Sequence, residues 1–361
     1  MIENTLNALL ATFAAAIMMF VMGLYISRYF NSPSLLRLIA TMSAAGIVLI
    51  SVYLKQQSSW FVGHSFAGFA ISAYSLLLGL RLLELVFAYQ WSYVRQMPLK
   101  LVLLYFLAFP RMPTSEDKFS ELSNQYTNRE SIKSMLHGIF QVVLCQLLVY
   151  LAPSPWFTLP STSFPLFVRF ARNGLLSFLL YLGIGAATDF GFGLYSYLTK
   201  IPMNRAFPLF PFTSTSLRDF WSYRWNNLIK SSLHLMSFTV IPNFVQPIVS
   251  IPNSVKGLLA FAISGVIHEY ALRFISNTWS GKNMLFFLLH ALFMLFELKM
   301  KIPTRAHSLH GKLLGWVWTL TVFITTSSLF FDPMIERGVF ANMKSNFNQL
   351  ILLAGLPKSE L

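Results

Sequence analysis

Two clusters of polar residues lie where the chain is otherwise oily. One is His268 with Glu269, in the middle of the apolar stretch 257–274, GLLAFAISGVIHEYALRF. The other is 216–227, SLRDFWSYRWNN, where Phe220, Trp221, Tyr223 and Trp225 alternate with Arg218, Asp219, Arg224 and two asparagines. Ionisable groups inside a membrane span are costly and usually face a cavity or a partner. An imidazole titrates near neutrality, so the chemistry His268 can offer is proton transfer. The competing reading is a satisfied buried histidine bonded to a neighbouring helix. Ser264 falls one turn earlier on the same face, and Gly265 lets a backbone or a ligand come close. Glu269 points away from His268 on a helix, so the two need not act as a dyad. His290, in LFFLLHALFMLFELK, is the main rival for the same role.

Other chemistries fit less well. His268-Glu269 begins like the zinc pattern H-E-x-x-H, but position 272 is Leu, so the second ligand is missing and no metal is expected. His307 and His310 lie in a basic stretch without nearby carboxylates. The one cysteine, Cys145, sits in the apolar run QVVLCQLLVY, which disfavours a thiolate and excludes an internal disulfide. His64 and His234 read as packing or interface residues, and Arg81 with Glu84 as a helix-surface ion pair.

The elements that position these residues must be membrane helices. The 361 residues are 55% hydrophobic and 11% charged, against about 25% charged in soluble domains. A span needs about 20 apolar residues, and runs of that order occur near 5–25, 35–54, 61–88, 133–152, 164–198, 228–250, 257–276, 282–298 and 311–331. The expected fold is an all-α polytopic integral membrane protein, a single domain over 1–361, with about eight or nine spans. The 164–198 run is one tilted helix or two helices broken at Gly183, Gly185, Gly191 and Gly193. Residues 98–110 suit an interfacial or re-entrant helix. Residues 111–131 are the longest polar loop, 200–215 a proline-rich one, and 299–312 a basic, cytosolic one. The N-terminus reads as a retained transmembrane helix, and the final KSEL loosely resembles an endoplasmic reticulum retrieval signal. The 27 Lys and Arg against 13 Asp and Glu are spread singly between oily runs. That pattern speaks for anionic lipid or an anionic head group, and against nucleic acid.

Ser216-Leu-Arg-Asp219 fits a capping box, so 216–227 is expected to open a helix. On that helix Leu217, Trp221, Trp225 and Leu228 share one face, and Arg218, Ser222 and Asn226 another. The plainest role is an aromatic anchor at the membrane interface, with snorkelling arginines. The asparagines ask for more, because buried amides need partners.

The pair SLRDFWSYRWN and SGVIHEY resembles the membrane-bound O-acyltransferase (MBOAT) superfamily, and is especially similar to its wax-synthase-like branch. The sharp match covers about 60 residues, and the 42 positions from Asn226 to His268 suit the superfamily. The resemblance implies a reaction chamber inside the membrane, with 216–331 as its catalytic region. It implies an acyl-CoA-dependent O-acyltransferase acting on a hydrophobic alcohol (a fatty alcohol, a sterol or a terpenoid), with an acetyl or longer acyl group. Acyl-CoA is then a co-substrate, with no bound cofactor, and the location is multi-pass in the endoplasmic reticulum. His268 matches the catalytic histidine, as general base, and Asn226 the polar residue ending the tryptophan motif. Arg218, Trp221, Ser222, Arg224, Trp225, Ser264 and Glu269 become substrate-binding candidates, with Arg218, Arg224 and Lys230 toward CoA phosphates. The alternatives are a transporter or channel, and a superfamily member that acylates a protein or polysaccharide.

Overall fold

The computed structural model describes residues 17–57, 65–87, 89–99, 102, 103, 105, 128–245 and 250–341. Among them there is no β-strand, as an oily solvent requires of a chain that must satisfy its backbone within each segment. The helices run α1 (Ile17–Tyr29), α2 (Pro33–Gln57), α3 (Ser65–Phe87), α4 (Trp91–Gln96), α5 (Asn128–Leu151) and α6 (Leu166–Thr199). They continue with α7 (Leu217–Asp219), α8 (Asn227–Leu235), α9 (Asn253–Ser276), α10 (Lys282–Lys299) and α11 (Leu309–Glu336). α7 passes into a π-helical turn, Phe220–Arg224, and α8 into another, Met236–Val240, which ends just before Ile241-Pro242. A proline presses on the carbonyl four residues back, and a widened register gives it room.

Four helices, α5, α6, α9 and α11, are long and apolar enough to cross a membrane; α1 and Pro33–Leu49 are shorter apolar pieces. The expected eight or nine spans therefore meet four of full length among the described residues. The polar loop expected over 111–131 is shorter at its end, because α5 already starts at Asn128 with Glu130 in its first turn, where the helix dipole favours an acid. Residues 106–127 and the KSEL terminus lie outside the described residues, as do most of 98–110 and residues 5–16 of the N-terminal span.

The run 164–198 is one unbroken helix, α6. Part of its glycine content serves packing. Among the described residues α5 and α6 make the most extensive helix pair, and a Cβ on Gly185 would meet Gln141 at 2.5 Å, and one on Gly193 would meet Met135 at 2.8 Å. On the α5 side, a Cβ at Gly138 would fall 2.7 Å from the Phe190 backbone nitrogen. Small residues let two membrane helices close to backbone contact. Gly138→Ala is therefore expected to destabilise by about 1–3 kcal/mol, read as a lower thermal midpoint in detergent. Gly183→Ala, where no described residue lies within 4 Å, should be neutral or stabilising by up to about 1 kcal/mol.

Among the described residues, two large apolar clusters dominate the interior. One joins α1 to α4 around Phe20, Leu36, Leu82 and Met97. The other joins α5, α6, α9, α10 and α11 around Leu179, Leu272, Phe287 and Phe331. A buried staple closes the second: Arg172 donates to Asp332 Oδ1 at 3.2 Å and to the carbonyls of Trp156 and Leu159 at 3.0 and 2.7 Å. Arg81 and Glu84, expected on a helix surface, are both buried. Arg81 donates to the Tyr105 carbonyl and lies 3.9 Å from its ring centroid. Spacing along one helix does not reveal that Tyr105 packs against this face.

Candidate active site

The stretch 216–227 is not one helix. Ser216 caps as expected, accepting from Asp219 N at 2.9 Å. The register then widens, and Trp225 N donates to Phe220 O at 2.8 Å across five residues. Trp225 turns extended, Asn226 takes a left-handed conformation (φ 39°, ψ 60°), and a new helix starts at Asn227. Asparagine is one of the few residues that enter this region at small cost. The turn brings the Phe220 and Trp225 rings into a stack at 5.2 Å, which a regular helix would hold far apart. The single polar face of Arg218, Ser222 and Asn226 therefore does not exist.

Carboxylates from elsewhere hold this broken segment. Glu297 of α10, fully buried, accepts from Leu217 N at 2.8 Å, Arg218 N at 3.2 Å and Trp318 Nε1 at 2.9 Å. It thus caps the N-terminus of α7, where a negative charge is favoured. Asp219, also fully buried, accepts from Arg224 Nε and Arg305 Nε, each at 2.8 Å. The loop after α10 ties in further: Ser216 Oγ donates to Thr304 O at 2.7 Å, and Arg218 donates to Ile302 O. Arg218 and Arg224 are thus committed to the protein itself. Arg218 pairs with Glu297 and Ile302, and Arg224 with Asp219, Phe210 O and Thr213 Oγ1. Neither lines the cavity described next.

A cavity of about 1080 Å³ opens between α6, the 220–230 segment, α9, α10 and α11. Aromatic and aliphatic side chains form most of its wall. His268, Asn226, Trp221, Ser222, Trp225 and Ser264 all line it, so residues 42 apart in sequence meet in one chamber. His268 Nδ1 is 2.8 Å from Ser264 O. A carbonyl can only accept, so Nδ1 carries the proton and a neutral ring has its lone pair on Nε2. The ring packs against Phe287 and Phe330 at centroid distances of 4.7 and 5.3 Å. Asn226 caps no N–H of α8, and among the described residues no hydrogen bond reaches its amide. Lys230, one turn along α8, also lines the wall and donates to Ser222 O at 2.7 Å. Among the described residues of the lining it is the only Lys or Arg, and none is Asp or Glu.

Glu269 is buried but faces away from the chamber. It accepts from Ser280 N and Asn283 N, each at 2.9 Å, and so caps the start of α10. Its role beside the histidine is to fix the α9–α10 corner. His290 does not line the cavity either. Trp221 Nε1 donates to its Nδ1 at 3.0 Å, and its Nε2 lies 2.8 Å from Thr326 Oγ1. Thr326 and Glu297 escaped the sequence reading. A threonine in an apolar helix gives no signal of its own, but an acid at the end of LFFLLHALFMLFELK could have been found by the same cost argument that singled out His268.

Residues 207–289, which contain both motifs, match the family model described as Membrane bound O-acyl transferase family. The chain is 30% identical over 182 residues to the probable long-chain-alcohol O-fatty-acyltransferase 2 of Arabidopsis thaliana, covering 47% of this chain and 50% of that relative. It is 28% identical over 135 residues to the long-chain-alcohol O-fatty-acyltransferase of Simmondsia chinensis (36% of this chain, 38% of the relative). It is also 28% identical over 138 residues to the acyl-CoA–sterol O-acyltransferase 1 of Arabidopsis thaliana (35% and 37%). These matches span half or less of each relative's length. The resemblance to the membrane-bound O-acyltransferase superfamily and its wax-synthase-like branch is borne out.

Proposed function

We propose that the protein is an acyl-CoA-dependent O-acyltransferase that esterifies a hydrophobic alcohol. The observation that carries this is the meeting of His268 and Asn226 in one apolar chamber, with the histidine lone pair on Nε2 once Ser264 O holds Nδ1–H. The similarity to acyltransferases of long-chain alcohols and sterols points the same way.

An alcohol is a poor nucleophile until its proton is removed. His268 Nε2 takes that proton as the hydroxyl oxygen attacks the thioester carbonyl. The tetrahedral oxyanion collapses, the C–S bond breaks, and the CoA thiolate leaves with the proton returned from the imidazolium. Reactants and products then balance as ester and free CoA. A base so placed contributes about 10²–10⁴-fold, and alignment of donor and acceptor in one chamber supplies more. The thioester is already activated, so no serine or cysteine nucleophile is required. Ser264 gives its carbonyl to orienting the base. Asn226 offers its amide N–H to the oxyanion or the acceptor hydroxyl. Of the three cations considered for CoA phosphates, Lys230 is the one on the chamber wall. The alcohol, being apolar, enters laterally from the bilayer, and the acceptor class is a fatty alcohol, a sterol or a terpenoid.

The test is expression in a host without ester-forming activity, with microsomes given labelled acyl-CoA and a panel of alcohols. New ester in the organic phase, released with free CoA, is the expected result. Uptake of an alcohol or acyl donor into proteoliposomes without ester would instead favour a transporter. Asn226→Ala is expected to lower kcat by about 10²–10³-fold, the usual cost of a lost oxyanion donor.

A further inference from the structure

We infer that His290 is a positioning residue, which sets the His268 ring through Trp221 and Phe287. Its kinetic consequence rests on the acyl-transfer reading above; its geometry does not.

The hydrogen bonds assign the proton of His290. An indole N–H only donates, so Nδ1 of His290 accepts from Trp221 at 3.0 Å. Thr326 Oγ1 donates to Val322 O at 2.7 Å, so at 2.8 Å it accepts from His290 Nε2–H. The ring is neutral, with its lone pair spent on the tryptophan and its proton on the threonine. It is fully buried. A general base must bring a lone pair to the substrate, and this one is already engaged outside the chamber. His290 is therefore poorly placed for the chemistry and well placed to hold something else.

What it holds is Trp221, a wall of the chamber. The Trp221 ring packs on Phe287 at 5.8 Å, and Phe287 packs on His268 at 4.7 Å. Phe286 touches both sides of this chain, 4.3 Å from the His290 ring and 5.2 Å from Phe287. Aromatic rings packed in this way cannot turn singly. With the indole N–H pinned, rotation of Trp221 is blocked, Phe287 has one seat, and the face of His268 is fixed. The relay also ties α11 and α10 to the segment that carries Asn226, so both reacting groups refer to one frame.

The test uses the full-length protein in micelles, with nitrogen-15 in its histidines and tryptophans. In His290→Phe the Trp221 indole and His268 imidazole signals are expected to shift. Both should return toward wild type in His290→Gln, whose amide offers one acceptor and one donor. Thr326→Val should shift the Trp221 signal in the same direction. In the ester assay His290→Phe should lower kcat by about 10²-fold, the scale of a misplacement near 1 Å, with KM changed less than about threefold and the pH profile retained. His290→Gln should recover most of that loss. An unmoved His268 signal in a folded His290→Phe protein overturns the proposal, whatever the activity. So does a His290→Gln variant that is inactive and has lost the pH dependence, since His290 would then be the base. Shifted signals in His290→Phe, alongside a wild-type protein that makes no ester, would sink the acyl-transfer reading and leave the positioning intact.

Discussion

His268→Ala is expected to lower ester formation by about 10²–10⁴-fold and to leave the protein folded. The rate loss follows from the role: without Nε2, the alcohol proton has no acceptor within the oily wall. The fold survives because the Nδ1 hydrogen bond ends on Ser264 O, within its own helix. Phe287 and Phe330, packed on either side, can relax into the space. The measurement pairs initial rates in microsomes with a thermal midpoint by fluorescence-detected gel filtration. Near-normal rate in His268→Ala, with His290→Ala inactive, would move the base to His290.

Glu297→Ala is expected to cost about 3–5 kcal/mol of stability, as for a buried charge partner removed alone. The carboxylate meets three donors, Leu217 N, Arg218 N and Trp318 Nε1, and lies 3.6 Å from Arg218 Nε. All would be left in an interior where an unmet donor costs about 1–3 kcal/mol. Because Glu297 caps the segment that leads to Asn226, activity should fall even at temperatures where the protein stays folded. A thermal midpoint within a degree of wild type would show that the cap carries none of this load. Glu297→Gln retains an acceptor and should lose less.

These two residues divide the molecule as the sequence divides it. His268 was legible because an ionisable group in an apolar helix is costly wherever the helix packs. Asn226 was legible through its motif, though the path to it was misread. The faces drawn for 216–227 assumed one continuous helix, and the π turn with the left-handed Asn226 breaks it. Ser222, Asn226, Trp221 and Trp225 reach the chamber even so, while Arg218 and Arg224 turn back to Glu297 and Asp219. Glu269 shows a related limit of local spacing: its partners, Ser280 N and Asn283 N, lie at the start of the next helix, which periodicity along α9 does not reveal.

Residue chemistry alone is enough to read the oily surroundings, the helical class and the few polar residues that oil would not tolerate without a purpose. Those follow from residue chemistry and from the requirement that each segment satisfy its own backbone. Tertiary structure decided which of those polar residues face the chamber and which are spent on each other. The partner of a buried charge can lie far along the chain, as Glu297 lies 80 residues from Leu217. Desolvation makes such a pairing compulsory, but only the packing of α10 and the loop after it against the 216–225 segment chooses the pair.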